Sequence, residues 1–97
     1  MSQRFRVRRI ARAELREAKQ YYEALRPGLG FSLVEEFERA AMRIRQNPEA
    51  FQIVYRDVRH ALLKRFPYVV FFRIRSDGVV VTGFMHSRRD SEDWLSR

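Results

Sequence analysis

A chain of 97 residues with a formal charge of +8, 45% hydrophobic and 13% aromatic, has the makings of one globular domain with a thin core, not of a disordered polypeptide. The absence of cysteine excludes a disulfide framework and any thiolate metal site, and two histidines are too few for a zinc cluster. No apolar run is long enough to span a bilayer or to act as a secretory leader, so the expectation is a soluble cytoplasmic protein, one domain over residues 1–97, with no metal and no cofactor.

The charge is uneven. Residues 1–20 carry seven bases against two acids, and residues 51–75 carry six against one, so two basic blocks dominate the field. Such a field draws in polyanions, either nucleic acid or an acidic protein. Lys19 and Lys64 are the only lysines, and every other base is arginine, the planar, bidentate choice for phosphate or carboxylate. A genome rich in G and C produces the same preference through codon usage alone.

"RFRVRRI" alternates Phe5 and Val7 with Arg4, Arg6 and Arg8, which predicts a half-buried strand with one basic side. From Ala11 the period becomes helical, with Ala11, Leu15, Ala18, Tyr22 and Leu25 on one stripe until "RPGLG" stops it. A second helix follows, with Leu33, Val34, Phe37, Ala40, Ala41 and Ile44 on a face that ends at Asn47 and Pro48. Its start is set either by a capping box of Ser32 and Glu35 or, one turn earlier, by Pro27. The short connection predicts an antiparallel helical hairpin.

The remaining stretches, "VRHALLKRF", "YVVFFRIR" and "VVVTGFMH", are rich in β-branched and aromatic residues. Asp77-Gly78 predicts a two-residue turn that pairs Arg73 with Thr82, Phe71 with Phe84 and Val69 with His86. In that register Val70, Phe72, Ile74, Val81 and Met85 face the helices. The other face carries Arg73, Arg75, Thr82 and His86 among Val69, Phe71, Val80 and Phe84, an open surface fit for binding or dimerisation. With Phe66 and Pro67 as the preceding turn, Ala61 and Leu63 point inward, while His60, Leu62 and Lys64 join the open face with His60 opposite Arg73; the alternative register buries Lys64 and His60 at an electrostatic cost. In "DSEDWLSR", Asp90 caps a short helix anchored by Trp94 and Leu95. The fold class is α+β, ordered β-α-α-β-β-β, an antiparallel sheet with a helical hairpin on one face and a short C-terminal helix.

This order, with "EAKQYYEAL", "RPGLGFSLVEEFE", "NPEAF", "VRHALLKRFPYVVFFRI" and "HSRRDSEDWLSR", resembles the RelE/ParE family of bacterial toxins from type II toxin-antitoxin systems over nearly the whole chain. The His-x-x-Arg-Asp string, the following Trp94 and the "RFPY" turn look more like the ParE-type and plasmid-stabilisation branch. The resemblance implies a protein that arrests growth when free and is neutralised by a cognate antitoxin. ParE-like members block DNA gyrase; RelE-like members cut mRNA on the ribosome without a metal.

Cutting RNA through its 2′-hydroxyl needs a base, an acid and positive charge within reach of one phosphodiester. The candidates are His86, Arg73, Arg59 and Lys64, although the register above places Arg73 and His86 about 14 Å apart along the sheet. A gyrase inhibitor asks only for complementary anchors, for which Arg73, Arg75, Phe71, Phe84, Arg88, Arg89 and Trp94 are the candidates at the target or antitoxin surface. This favours a docking protein over an enzyme. Simple nucleic-acid binding rests on charge alone, because no helix pairs basic residues with a turn suited to a major groove. A homodimer or a toxin-antitoxin heterotetramer is compatible with all of these readings.

Overall fold

In the computed structural model, which describes residues 4–88, the alternating N-terminal stretch forms β1 (Arg4–Val7), with Phe5 and Val7 turned toward the core. Helix α1 (Arg9–Leu25) follows at once. Ala11 and Ala18 of its apolar stripe are buried and Leu15 and Tyr22 half-buried, whereas Leu25, at the helix end, is exposed. Arg26 is extended, as the residue before a proline must be.

Helix α2 (Leu29–Gln46) starts a turn before Ser32, so the Ser32–Glu35 box is not its cap. The Ser32 hydroxyl instead lies 3.3 Å from the Gly28 carbonyl, to which it donates. The first turn is capped from α1: Gly28 N–H donates to Glu23 Oε2 (2.9 Å) and Gly30 N–H to Glu23 Oε1 (3.0 Å). These bonds, that from Gly28 foremost, hold the Glu23 carboxyl below its ordinary pKa. Gly30 also sets how closely the helices approach, since a Cβ there would stand 2.5 Å from the Lys19 carbonyl oxygen. Gly30→Ala must therefore push α2 away from α1, and its expected cost is about 1–3 kcal/mol, read as a lower midpoint in denaturant unfolding.

After a single 3-10 turn (Pro48–Ala50) come β2 (Ile53–Tyr55), β3 (Val58–Leu62), β4 (Tyr68–Arg75) and β5 (Gly78–His86). The sheet order is β1-β5-β4-β3-β2, with β1 parallel to β5 and the other neighbours antiparallel. The sheet is therefore mixed, and β2 is a fifth strand that three residues were too few to announce. Val70, Phe72, Val81, Leu33, Phe37 and Ile44 fill the layer between sheet and helices, with Ile74 packed at its margin.

The β4–β5 turn is Ser76-Asp77, not Asp77-Gly78, because Arg75 pairs with Gly78. Gly78 is needed in the strand: at φ +147° it lies so close to the backbone of Arg4 that any Cβ would collide with it. The slip is by two residues, so Val79 and Val81 still face the helices and Val80 the other side. Then Phe72 pairs with Val81 but Phe71 with Gly83, which makes Thr82 the extra residue of a bulge. One extra residue reverses every later side chain of β5. Phe84 enters the helix-side core, Met85 moves to the opposite face, and His86 pairs with Tyr68 on the helix side.

The third register differs as well: His60 lies opposite Phe71, not Arg73, while Ala61 and Leu63 do point inward. Lys64 belongs to the β3–β4 loop on the α2 side, where its backbone N–H donates to Glu36 Oε1 (3.3 Å). Glu36, buried on α2, also takes Arg39 Nη1 (2.9 Å) and Arg65 Nε (3.3 Å) on Oε2. Burial by itself raises the pKa of this carboxyl, but the Arg39 and Lys64 hydrogen bonds and the Arg65 charge outweigh it and hold it below 4.5. With the folded value below the unfolded one, the ionised carboxylate stabilises the fold fully above the unfolded pKa. That contribution drains away as pH falls through the folded value. Glu36→Gln is therefore expected to cost on the order of 1–2 kcal/mol near neutral pH. The gap from the parent should narrow in acid, and a gap in urea midpoints that stays constant down to about pH 3 would contradict this.

Candidate functional site

On the face away from the helices, Val58, Val69, Phe71 and Met85 form a second apolar cluster, joined by Val54 and Tyr55. These four are only 2–7% exposed, so this face is not the open aromatic platform that alternation suggested. What it presents is a charged margin. Asp57, in the tight β2–β3 turn, binds Arg73 Nε through Oδ1 (3.3 Å) and Arg75 Nη1 through Oδ2 (3.0 Å). Burial opposes ionisation of Asp57, but the Arg75 hydrogen bond and the Arg73 charge prevail and lower its pKa. The same acid thus holds both guanidinium groups at one edge of the cluster, with side-chain exposures of 19% for Arg73 and 37% for Arg75. His60, across from Phe71, shares this face, and burial pushes its pKa below 6.5.

The other candidates are elsewhere. Arg59 points to the helix side, where Nη1 ties down the chain after α2 by donating to Phe51 O (2.8 Å) and Glu49 O (3.2 Å). Lys64 sits beside Glu36 in the β3–β4 loop. His86 stands at the far end of β5, edge-on to Tyr68 at 5.3 Å, with Nδ1 accepting the Arg88 backbone N–H at 3.0 Å. Arg73 and His86 are on opposite sides of the sheet, so His86, Arg73, Arg59 and Lys64 are not assembled around one phosphodiester-sized space. Of the proposed contact residues, Phe84 is 1% exposed because of the Thr82 bulge, and Phe71 is 7% exposed within its cluster. Neither offers a ring to a partner. Arg88 is exposed, and Arg89 and Trp94 lie outside the described residues.

Beside His86, α1 and the end of the β4–β5 hairpin bound a groove of about 320 Å³ lined by Tyr21, Tyr22 and Tyr68 with Glu14 and Glu17 on its rim. The Tyr21-Tyr22 doublet was visible in sequence, but only the bulge brings His86 to it. Asp57 was equally missed, since nothing local marks a turn acid as the partner of arginines that follow it on another strand.

The family model for the ParE toxin of the type II toxin-antitoxin system parDE matches residues 5–91. The chain belongs to the ParE toxin family. A solved structure described as the chromosomal ParDE toxin-antitoxin system from P. aeruginosa shares the ParE-like fold at a TM-score of 0.77 and 18% identity. That match covers 87% of this chain and 95% of the other. No curated protein sequence matches. Two helices on a five-stranded mixed sheet are thus the ParE-type architecture, and among the described residues no helix is long and apolar enough to cross a membrane.

Proposed function

We propose that this ParE-type toxin arrests growth by occluding DNA gyrase, and that a cognate antitoxin neutralises it. The observation that carries the reading is the separation of Arg73 from His86 by the sheet itself. In-line attack of a 2′-hydroxyl on phosphorus needs a base at the attacking oxygen and an acid at the leaving oxygen on the opposite side. Both must lie within hydrogen-bond reach of one phosphodiester that has room between them, and here the sheet fills the space between Arg73 and His86. A docking protein needs anchored cations with defined geometry, and the Asp57 clamp holds Arg73 and Arg75 in that way. The charge of +8 favours an antitoxin of predominantly acidic character, whose neutralising segment gains most by ordering itself along the toxin.

The alternative, a ribosome-dependent mRNA endoribonuclease, retains one foothold. His60 shares a face with Arg73, diagonal to it across β3 and β4. Induction of the toxin, with supercoiling and transcript integrity followed in the same cells, separates the two. Loss of supercoiling with intact mRNA supports gyrase occlusion. Codon-biased cleavage that disappears in His60→Ala or His86→Ala overturns it.

A further inference from the structure

Three adjacent strands build a charged trough on the face of the sheet away from the helices, at the end where β4 turns into β5. On β1, Phe5 and Val7 turn to the core, so Arg4 and Arg6 project from the opposite face. Arg8 continues the same alternation, its N–H donating to Val81 O at 3.0 Å. The floor is β5. Gly78 pairs with Arg4 on one side and Arg75 on the other, and Val80 pairs with Arg6 and Arg73 in the same way. Gly78 has no side chain and Val80 is buried, so β5 lies low between two rows of arginine about 10 Å apart. The concavity between them measures about 580 Å³, and its lining includes Arg6, Arg8, Arg75 and Asp77. Two acids stand among these cations: Asp77 accepts from Arg6 Nη2 at 3.4 Å, and Asp57 from Arg75 Nη1 at 3.0 Å. A guanidinium carries five N–H donors, so each pair orients its arginine without exhausting it.

Arginines on alternate residues of a strand stand about 7 Å apart, close to the step from one phosphate to the next along a nucleic-acid strand. An acidic protein segment needs an apolar centre to hold it, whereas a phosphodiester chain needs only cations at a regular pitch. The trough is a surface of the second kind, since the exposed residues of its lining, Arg6, Arg8, Ser76 and Asp77, are all polar. We propose that it binds the phosphodiester backbone of duplex DNA, one strand lying along β5 with Arg4, Arg6 and Arg8 on one flank and Arg75 on the other. Contacts to phosphates alone carry no sequence preference. The choice of DNA rests on the gyrase reading above, because that target works on DNA; the phosphate chemistry rests on the trough alone. Arg75 marks the boundary between this trough and the margin clamped by Asp57. A toxin with both contacts prefers DNA-loaded gyrase to the free enzyme, the second contact being made at high effective concentration once the first is in place.

The test is fluorescence anisotropy of a labelled random-sequence DNA duplex titrated with the full-length chain over a series of salt concentrations, without gyrase. Arg6→Gln with Arg8→Gln should weaken binding roughly tenfold and make the slope of log affinity against log salt shallower by about two. Arg16→Gln with Arg26→Gln, an equal charge change at exposed positions of the helical hairpin, should weaken it less than about threefold and leave the slope in place. Asp77→Asn removes the acid inside the trough and should tighten binding severalfold, whereas Glu38→Gln, at an exposed position of α2, should not. The pair of Arg6 with Asp77 is half exposed, so these variants keep the parent's melting midpoint, which is measured alongside. Equal losses for the two arginine pairs, no binding to the duplex, or equal affinity for polyglutamate or for vesicles of anionic lipid would each overturn the proposal. Inhibition of supercoiling by a chain that does not bind DNA would sink the trough and leave the gyrase reading standing. Place-dependent DNA binding by a chain that leaves supercoiling untouched would do the reverse.

Discussion

Replacing Arg73 and Arg75 together by glutamine should abolish growth arrest and weaken gyrase binding at least tenfold, while the same charge change at Arg9 and Arg16 on α1 leaves both intact. Glutamine at 73 keeps a donor at the level of Nε for Asp57, whereas at 75 it falls short of Nη1, so an unchanged melting midpoint of the double variant is the condition for reading its loss as docking. What disappears is a pair of fixed cations, the kind of anchor whose loss costs about 2 kcal/mol or more when it lies at the centre of an interface. Arg9 and Arg16 are exposed on the helical layer and serve as a control for net charge, because long-range steering depends on the sum and docking on the place. Supercoiling inhibition by purified proteins is the measurement. If both double variants lost potency equally, non-specific polyanion attraction would be the better account.

The second large effect is expected at Phe72. This ring is fully buried, meets Phe51 edge-on at 5.6 Å, and lies in β4, the middle strand of the sheet. Phe72→Ala should cost about 3–5 kcal/mol through lost transfer energy and the cavity left behind. A domain of this size has on the order of 5–15 kcal/mol in total, so the variant should melt tens of degrees lower or fail to accumulate. Phe31→Ala, at a ring 63% exposed, removes the same atoms and should change stability by less than about 0.5 kcal/mol. A calorimetric comparison of the two isolates burial from chemistry.

Hydrophobic period carried the sequence reading a long way. It located both helices, the inward set Val70, Phe72 and Ile74, and the polarity of β1, because each depends on side chains a few residues apart. It failed where the deciding contact is distant. Gly78 looks like a turn glycine until Arg4 is placed beside it, and Glu23 looks like a solvent carboxylate until the N-terminus of α2 comes to rest on it. The bulge at Thr82 has no local signature that alternation could detect, yet it alone decides that His86 and Arg73 part company. The candidate site was legible as a list of arginines, and its geometry was not, since a single uncounted residue exchanges the two faces of a strand.

The parallel pairing of β1 with β5 joins the first of the described strands to the last. During synthesis β1 and both helices leave the ribosome with no floor to rest on, because the strand that must lie between β1 and β4 is still being translated. Closing so long a loop is slow, and it cannot begin before residues 78–86 emerge. A chain that has not yet released that strand therefore lacks the completed sheet on which its two helices pack.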